Sequence, residues 1–289
     1  MGQFLRLHET PAAFRQALRF TEAESGFAQR LVEKDYYCSL ILADFAPLFS
    51  GGLVFKGGTC LGKVYAGFYR LSENLDFAIS IPTTARPRDR REARLPVKQH
   101  LEQIADRLPA VRTSDPPQGC DGNRQYNAVL QYESAVTGEH ETVKVQVAIR
   151  EPIIEATVMR TGRTLLRHPV VSDAELSVRV LSLRETYAEK VRAALTRTPP
   201  AIRDVFDIDE AVRAERLDLC ETGFISLVRQ KLAVPGCGAI DTGRIRKKLL
   251  VDQLETHLKP VLRGSDYAAF DIDRAFAEVE RLATLIRGV

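Results

Sequence analysis

Apolar residues alternate over two runs near the middle of the chain, Gln125 to Tyr132 and Thr142 to Ile149, and recur at three- and four-residue steps in stretches before and after them. The pattern predicts a mixed sheet unit followed by a helical unit. Thr10-Pro11 suits a helix start, with Thr as N-cap and Pro at the first helical position. A second helix is expected from about Ser25 to Phe45, its apolar side carried by Phe27, Leu31, Tyr36, Leu40 and Ala43. Pro47 and Gly51-Gly52 close it. Leu53-Val54-Phe55 reads as a short buried strand, Thr59 to Phe68 as a helix, and Leu75 to Ile79 as the next strand, closed by Pro82. A helix is expected to end near Leu108, and Asp115-Pro116-Pro117-Gln118-Gly119 reads as a loop. Gln125 to Tyr132 and Thr142 to Ile149 alternate as strands, and Gly138 between them suits a hairpin. After Val170 the spacing predicts helices over roughly Leu176–Thr196, Ile202–Glu215, Phe224–Leu232, Asp241–Leu258 and Asp271–Arg287. The last carries Ile272, Phe276, Val279, Leu282 and Ile286 on one side. The expected fold class is α+β, with domains at 1–170 and 171–289.

Composition changes this picture little. With 289 residues, 45% hydrophobic and 27% charged, the chain has ordinary globular make-up and enough length for a real core. A net charge of +3 is compatible with nucleotide or nucleic-acid partners without requiring them. The five cysteines, Cys38, Cys60, Cys120, Cys220 and Cys237, form no C-x-x-C pair and read as reduced thiols. No apolar run approaches the roughly 20 residues that span a bilayer, and Met1-Gly2-Gln3-Phe4-Leu5-Arg6 lacks the apolar stretch of a secretory signal. A cytoplasmic protein with no membrane contact is expected.

The candidate chemistry lies in Phe55-Lys56-Gly57-Gly58-Thr59, followed some fifteen residues later by Arg70-Leu71-Ser72-Glu73-Asn74-Leu75-Asp76-Phe77. A Gly-Gly turn lets backbone approach a phosphate closely, and the helix it opens points its amides the same way. Residues two apart on a strand share a face, so Asn74 and Asp76 are expected side by side, with Ser72 on the same face and Glu73 on the other, solvated. Asp76 is the candidate metal ligand; a strand-end carboxylate paired with Arg70 is the plainer alternative. Further on, Lys190 sits in Ala188-Glu189-Lys190-Val191-Arg192-Ala193-Ala194, and Asp204 follows fourteen positions later in Arg203-Asp204-Val205-Phe206-Asp207. On spacing alone these read as a solvated lysine and an acid at a helix start.

Taken together, Glu33-Lys34-Asp35-Tyr36, F-K-G-G-T-C-L, R-L-S-E-N-L-D-F, and A-E-K-V-R-A-A-L with R-D-V-F-D resemble the AbiEii/AbiGii-type (MenT-type) nucleotidyltransferase toxins across most of the chain. The resemblance implies a polymerase-β-like minimal nucleotidyltransferase core, a mixed sheet with flanking helices, plus a helical C-terminal domain. It implies a toxin of a toxin–antitoxin or phage-defence system that transfers NMP from an NTP to RNA, often the tRNA 3′ acceptor end, with Mg²⁺ or Mn²⁺. A cognate antitoxin encoded nearby would be the partner. Carried over by position, Gly57, Gly58 and Thr59 match the phosphate turn and Asp76 the second acid of a D-x-D. Lys190 matches the triphosphate-contacting lysine, Asp204 the later catalytic aspartate, and Ser72 a position where related toxins carry a hydroxyl that can be phosphorylated. Lys190 and Asp204 are accordingly expected to join Asp76 in one cleft.

Two positions depart from that pattern. Asn74 stands where the family carries Asp as the other metal ligand, and Gln146 stands in Val143-Lys144-Val145-Gln146-Val147 where many relatives carry an acid. Both amides offer a carbonyl oxygen but no charge against a divalent ion. Three readings follow: Asn74 introduced to silence a toxic enzyme, natural decay to a nucleotide- or RNA-binding protein, or one metal sufficing. The basic stretch from Arg86 to Lys98 and the cluster Arg244, Arg246, Lys247, Lys248 are candidate RNA surfaces or simply solvated helix faces.

Overall fold

The computed structural model describes residues 3–168 and 176–288. The chain forms two compact units, Met1–Leu181 and Ser182–Val289. The sequence-based boundary at 170/171 lies outside the described residues.

In the first unit, α1 (Pro11–Ser25) ends at Gly26, whose left-handed backbone (φ 74°) caps it. That break moves the start of α2 from the expected Ser25 to Gln29, and α2 runs Gln29–Asp44. Rather than one apolar side, α2 is buried all round: Glu33, Lys34 and Asp35 are buried along with Leu40 and Ile41. A short α3 (Ala46–Ser50) leads into β1 (Leu53–Lys56). Then α4 (Gly57–Cys60) continues as a π-helical turn over Leu61–Ala66, and β2 (Asn74–Ile79) follows.

After β2 come α5 (Pro87–Ala93), α6 (Leu95–Glu102) and α7 (Ile104–Arg107), then β3 (Arg112–Cys120), β4 (Gln125–Glu133), β5 (His140–Ala148), β6 (Val158–Gly162) and β7 (Leu176–Val180). The seven strands form one mixed sheet in the order β3-β4-β5-β2-β1-β7-β6. β2 runs parallel to β5 and β1 parallel to β7, and the other neighbours are antiparallel.

Alternation sets the two faces. Leu75 and Phe77 of β2, Val143, Val145 and Val147 of β5, and Tyr126, Ala128, Leu130 and Tyr132 of β4 are buried, while Asn74, Asp76 and Gln146 take the other face and are half-buried. Phe77 stands within 5.4–6.3 Å, ring to ring, of Phe45, Phe49 and Phe55. Truncating it to Ala would cost on the order of 3–5 kcal/mol.

Two expectations are overturned here. Asp115–Gly119 is not a loop but part of β3, whose register shifts between Thr113 and Gln118. An edge strand with bulges accommodates Pro116 and Pro117, since the missing amides need no ladder partner there. Leu176–Val180, expected as the first turn of a helix, is strand β7, with Leu176, Val178 and Val180 buried in alternation. β6 gave no sequence signal: it is an edge strand with Met159, Arg160 and Thr161 exposed.

The second unit is helical: α8 (Leu183–Thr196), α9 (Ile202–Arg213), α10 (Thr222–Leu232), α11 (Arg244–Val251), α12 (Gly264–Ala268) and α13 (Ile272–Arg287). Ser182 caps α8 by accepting from the Glu185 amide at 2.9 Å, and Asp271 caps α13 through the amides of Asp273 and Arg274. The single helix expected over Asp241–Leu258 is two: after α11 the chain makes a separate π-helical turn at Leu254–Leu258.

Candidate active site

Asp76 and the glycine turn meet at the end of β1. Lys56, the last residue of β1, pairs with Asp76 in the antiparallel register, so Gly57 follows directly beside the Asp76 carboxylate. Gly57 has φ +78°, and a Cβ there would lie 2.5 Å from Asp76 Oδ2 and 2.9 Å from its Cβ. Both the backbone angle and the space exclude a side chain. A Cβ on Gly58 would strike the guanidinium of Arg70, which is 3% exposed and donates from Nη1 to the Leu71 carbonyl at 3.1 Å. Thr59 is buried, and its hydroxyl donates to the Asn74 carbonyl at 2.5 Å, fastening the turn to the first residue of β2.

The pairing of the other strands extends the site into a row. Asp76 faces Gln146 on β5, Gln146 faces Asn127 on β4, and Asn127 faces Gln118 on β3. With Lys56 on β1, five strands contribute one polar residue each, and the row holds one carboxylate. Asn74 sits two residues before Asp76 and opposite Lys144. Asn74 and Asp76 thus share a face, as their spacing predicts. Ser72 lies in the loop before β2 and is half-buried, so strand parity does not extend to it. Glu73 is not the solvated residue expected: half-buried, it accepts from Lys34 Nζ at 3.0 Å. Sequence reasoning passed over Lys56, whose side chain is nine-tenths buried; its place before Gly-Gly on a strand that pairs with β2 was the available signal.

The donor set bears on a divalent metal. Among the described residues no three His, Cys, Asp or Glu side chains gather as a metal cluster would require. Asp76, with amide oxygens at Asn74 and Gln146, suits a single Mg²⁺-like ion that takes its remaining ligands from a substrate's phosphates and from water. It does not suit two divalent ions, whose charge one carboxylate leaves largely uncompensated.

In the second unit, Lys190 on α8 reaches Asp204 Oδ1 and Asp207 Oδ2 on α9, each at 2.8 Å. Asp207 is fully buried and Asp204 nearly so, and Arg197 adds a second cation 3.3 Å from Asp204 Oδ2. The solvated lysine that spacing alone suggested is therefore a mostly buried one shared by two aspartates. Asp207, the last residue of R-D-V-F-D, joins the pair one helical turn after Asp204.

The basic stretches are largely engaged. Arg86 pairs with Asp89, Arg88 with Glu92 and Lys98 with Glu102. Arg90 is buried, and Arg94 lies 4.7 Å from the centre of the Tyr126 ring. Arg246 is also buried, donating to the Ala193, Ala194 and Arg197 carbonyls at the end of α8, and Lys247 pairs with Asp273. Arg244 and Lys248 are the exposed members of that cluster. Among the described residues no helix is long and apolar enough to cross a membrane.

Comparison with known proteins supplies the context for this geometry. The profile of a family described as "Nucleotidyl transferase AbiEii toxin, Type IV TA system" matches residues 40–279. The chain is similar in structure to MenT4, the nucleotidyltransferase toxin Rv2826c of Mycobacterium tuberculosis H37Rv, with TM-score 0.55 and 16% identity over 96% of this chain and 90% of that one. A looser likeness, TM-score 0.46 at 19% identity over 89% and 88% of the two chains, is to JHP933 of Helicobacter pylori. No curated protein matches.

Proposed function

We infer, for a chain that belongs to the AbiEii nucleotidyltransferase toxin family, transfer of NMP from an NTP to RNA, with the tRNA 3′ acceptor end as the target and a block of translation as the result. The observation that carries this reading is the Asp76 carboxylate laid against Gly57 at the mouth of a Gly-Gly turn, in a row of polar residues on one sheet face. The turn's backbone would cradle the phosphates, while Thr59 holds the turn to β2. Asp76 would hold one Mg²⁺ or Mn²⁺, with Asn74 or Gln146 offering an oxygen; the ion would supply charge to offset the triphosphate. Following the family's pattern, Lys190 would contact the triphosphate, Asp204 would serve as the later acid, and Ser72 would stand near the nucleotide. The family implies a cognate antitoxin, and the cytoplasm is where NTP and tRNA would be met.

Labelled NTPs, Mg²⁺ and total tRNA incubated with this protein and with its Asn74→Asp form provide the test. The reading expects labelled tRNA, and it fails if neither protein transfers label. Gln146 beside Asp76 favours a second reading, a nucleotide- or RNA-binding protein that keeps the fold without turnover. That reading expects NTP or RNA binding by both proteins and transfer by neither.

A further inference from the structure

Glu33, Lys34 and Asp35 are consecutive on α2, so their side chains leave the helix about 100° apart. Three adjacent charges can each find a separate partner within the protein only on a helix enclosed on every side, as α2 is. Each of the three holds a different segment. Glu33 accepts from Ser134 Oγ at 2.5 Å and from the Ala135 amide at 2.6 Å, in the turn joining β4 to β5. Lys34 donates to Glu73, the residue just before β2, and lies 3.6 Å from Glu141 near the start of β5, where Glu141 also takes Arg30 at 2.6 Å. Asp35 stands 2.7 Å from Lys63 Nζ and accepts from the Leu165 amide at 3.0 Å. Lys63, 1% exposed, also donates to Ser39 at 2.7 Å and belongs to the turn that continues from Gly57-Gly58.

The segments so held are those that carry the polar row: the glycine turn and its helix, β2 with Asp76, and β5 with Gln146. We propose that Lys34 is a positioning residue for nucleotidyl transfer: through Glu73 and Glu141 it fixes β2 and β5, and so places Asp76 against the glycine turn that Asp35 anchors through Lys63. The proposal rests on the transferase reading above. Fold stability alone is the competing role, and the pair allows the two to be separated. Lys34 keeps 9% of its side-chain surface exposed and Glu73 32%, and Glu141 retains Arg30 when Lys34 is neutralised, so neutral variants strand no fully buried charge.

The test uses full-length Lys34→Gln, Glu73→Gln, the double variant and Lys34→Arg. Each is assayed for kcat and for the KM of NTP, for its thermal midpoint, and for amide hydrogen exchange. Lys34→Gln and Glu73→Gln are each expected to lower kcat about tenfold, well inside the ~10²-fold that a 1 Å misplacement can cost. The NTP KM should change less than about twofold, since binding of the distal phosphates is not what the pair sets. The double variant should be no worse than the poorer single one, because Lys34→Gln already breaks the link to Glu73, and Lys34→Arg should recover most of the rate. Exchange should quicken over 57–62 and 74–79 and stay unchanged over α8 and α13. Unchanged kcat, additive losses, or losses that merely follow the folded fraction would overturn the proposal. If the wild-type and Asn74→Asp proteins both lack transfer, the transferase reading has failed by itself. Exchange then decides the positioning claim: protection of 57–62 and 74–79 unaltered by Lys34→Gln would end it.

Discussion

Gln146 lies directly across from Asp76 where β5 runs parallel to β2. Neighbouring strands are about 4.8 Å apart, so whatever Asp76 binds, the Gln146 side chain is placed to touch. The amide can present its carbonyl to a cation or its NH₂ to a phosphate, whereas a carboxylate could do only the first. Together with Asn74, it leaves Asp76 as the one carboxylate of the polar row.

Adding a carboxylate there should raise activity. Asn74→Asp and Gln146→Glu are each expected to raise tRNA labelling by up to about 10²-fold, the size of one well-placed electrostatic contact. The half-saturating Mg²⁺ concentration should fall in parallel. Side-by-side titration of the variants with Mg²⁺ checks this; labelling that fails to rise with either variant would show that the amides are not the limiting feature.

Gly57 should tolerate no side chain. Gly57→Ala would place a Cβ 2.5 Å from Asp76 Oδ2 on a backbone at φ +78°. The left-handed conformation alone costs on the order of 1–2 kcal/mol, and displacing the carboxylate by about 1 Å would reduce transfer roughly 10²-fold. Gly52 is an internal control, since it also has positive φ (+93°) but nothing lies within 4 Å of its added Cβ. Gly52→Ala should lose similar stability and keep its rate; equal rate losses in the two variants would refute the carboxylate argument.

The Lys190 cluster separates charge from fold. Lys190→Met removes the cation that Asp204 and Asp207 share in a buried site, leaving Arg197 on Asp204, and should cost about 3–5 kcal/mol. Lys190→Arg keeps the charge and should keep the midpoint within a few degrees. Arg is not equivalent to Lys at a phosphate, so this variant should raise the NTP KM about tenfold while leaving stability intact. Circular dichroism melts and saturation curves on the two variants decide it, and an unchanged KM for Lys190→Arg would confine Lys190 to scaffolding.

How much of this was written in the sequence varies with the range of the interaction. The glycine turn, β2 and the shared face of Asn74 and Asp76 were legible, because a Gly-Gly turn and a two-residue period are local signals. β3 was not, since Pro116-Pro117 punctuates like a loop and only its edge position makes it a strand. The roles of Glu33, Lys34 and Asp35 were hidden for a different reason. Their partners lie 28 or more residues away, and three charges in succession on a helix otherwise signal solvent. The Lys190 pairing was not visible: spacing made Lys190 a solvated residue, Asp204 stood out only by its motif, and nothing singled out Asp207 as the second acceptor.

Glu33 gives the fold a pH signature of its own. Burial holds its carboxyl above the ordinary carboxylate value, against the opposing pull of the hydrogen bonds from Ser134 and the Ala135 amide. A raised folded-state value means that the folded chain binds this proton more tightly than the unfolded one. The group's stabilising contribution is therefore full below the ordinary value and is lost as pH rises through the folded one. Glu33→Gln, which stays neutral, removes that dependence. The midpoint of the wild type minus that of Glu33→Gln should accordingly be largest near pH 4.5 and shrink toward pH 8. Groups remote from Glu33 cancel in the difference, whereas the charge of Glu141, whose carboxyl Arg30 holds below the ordinary value, adds to the rise of Glu33 and so works in the same direction. A difference that grows with pH would mean that the two hydrogen bonds, not burial, govern Glu33.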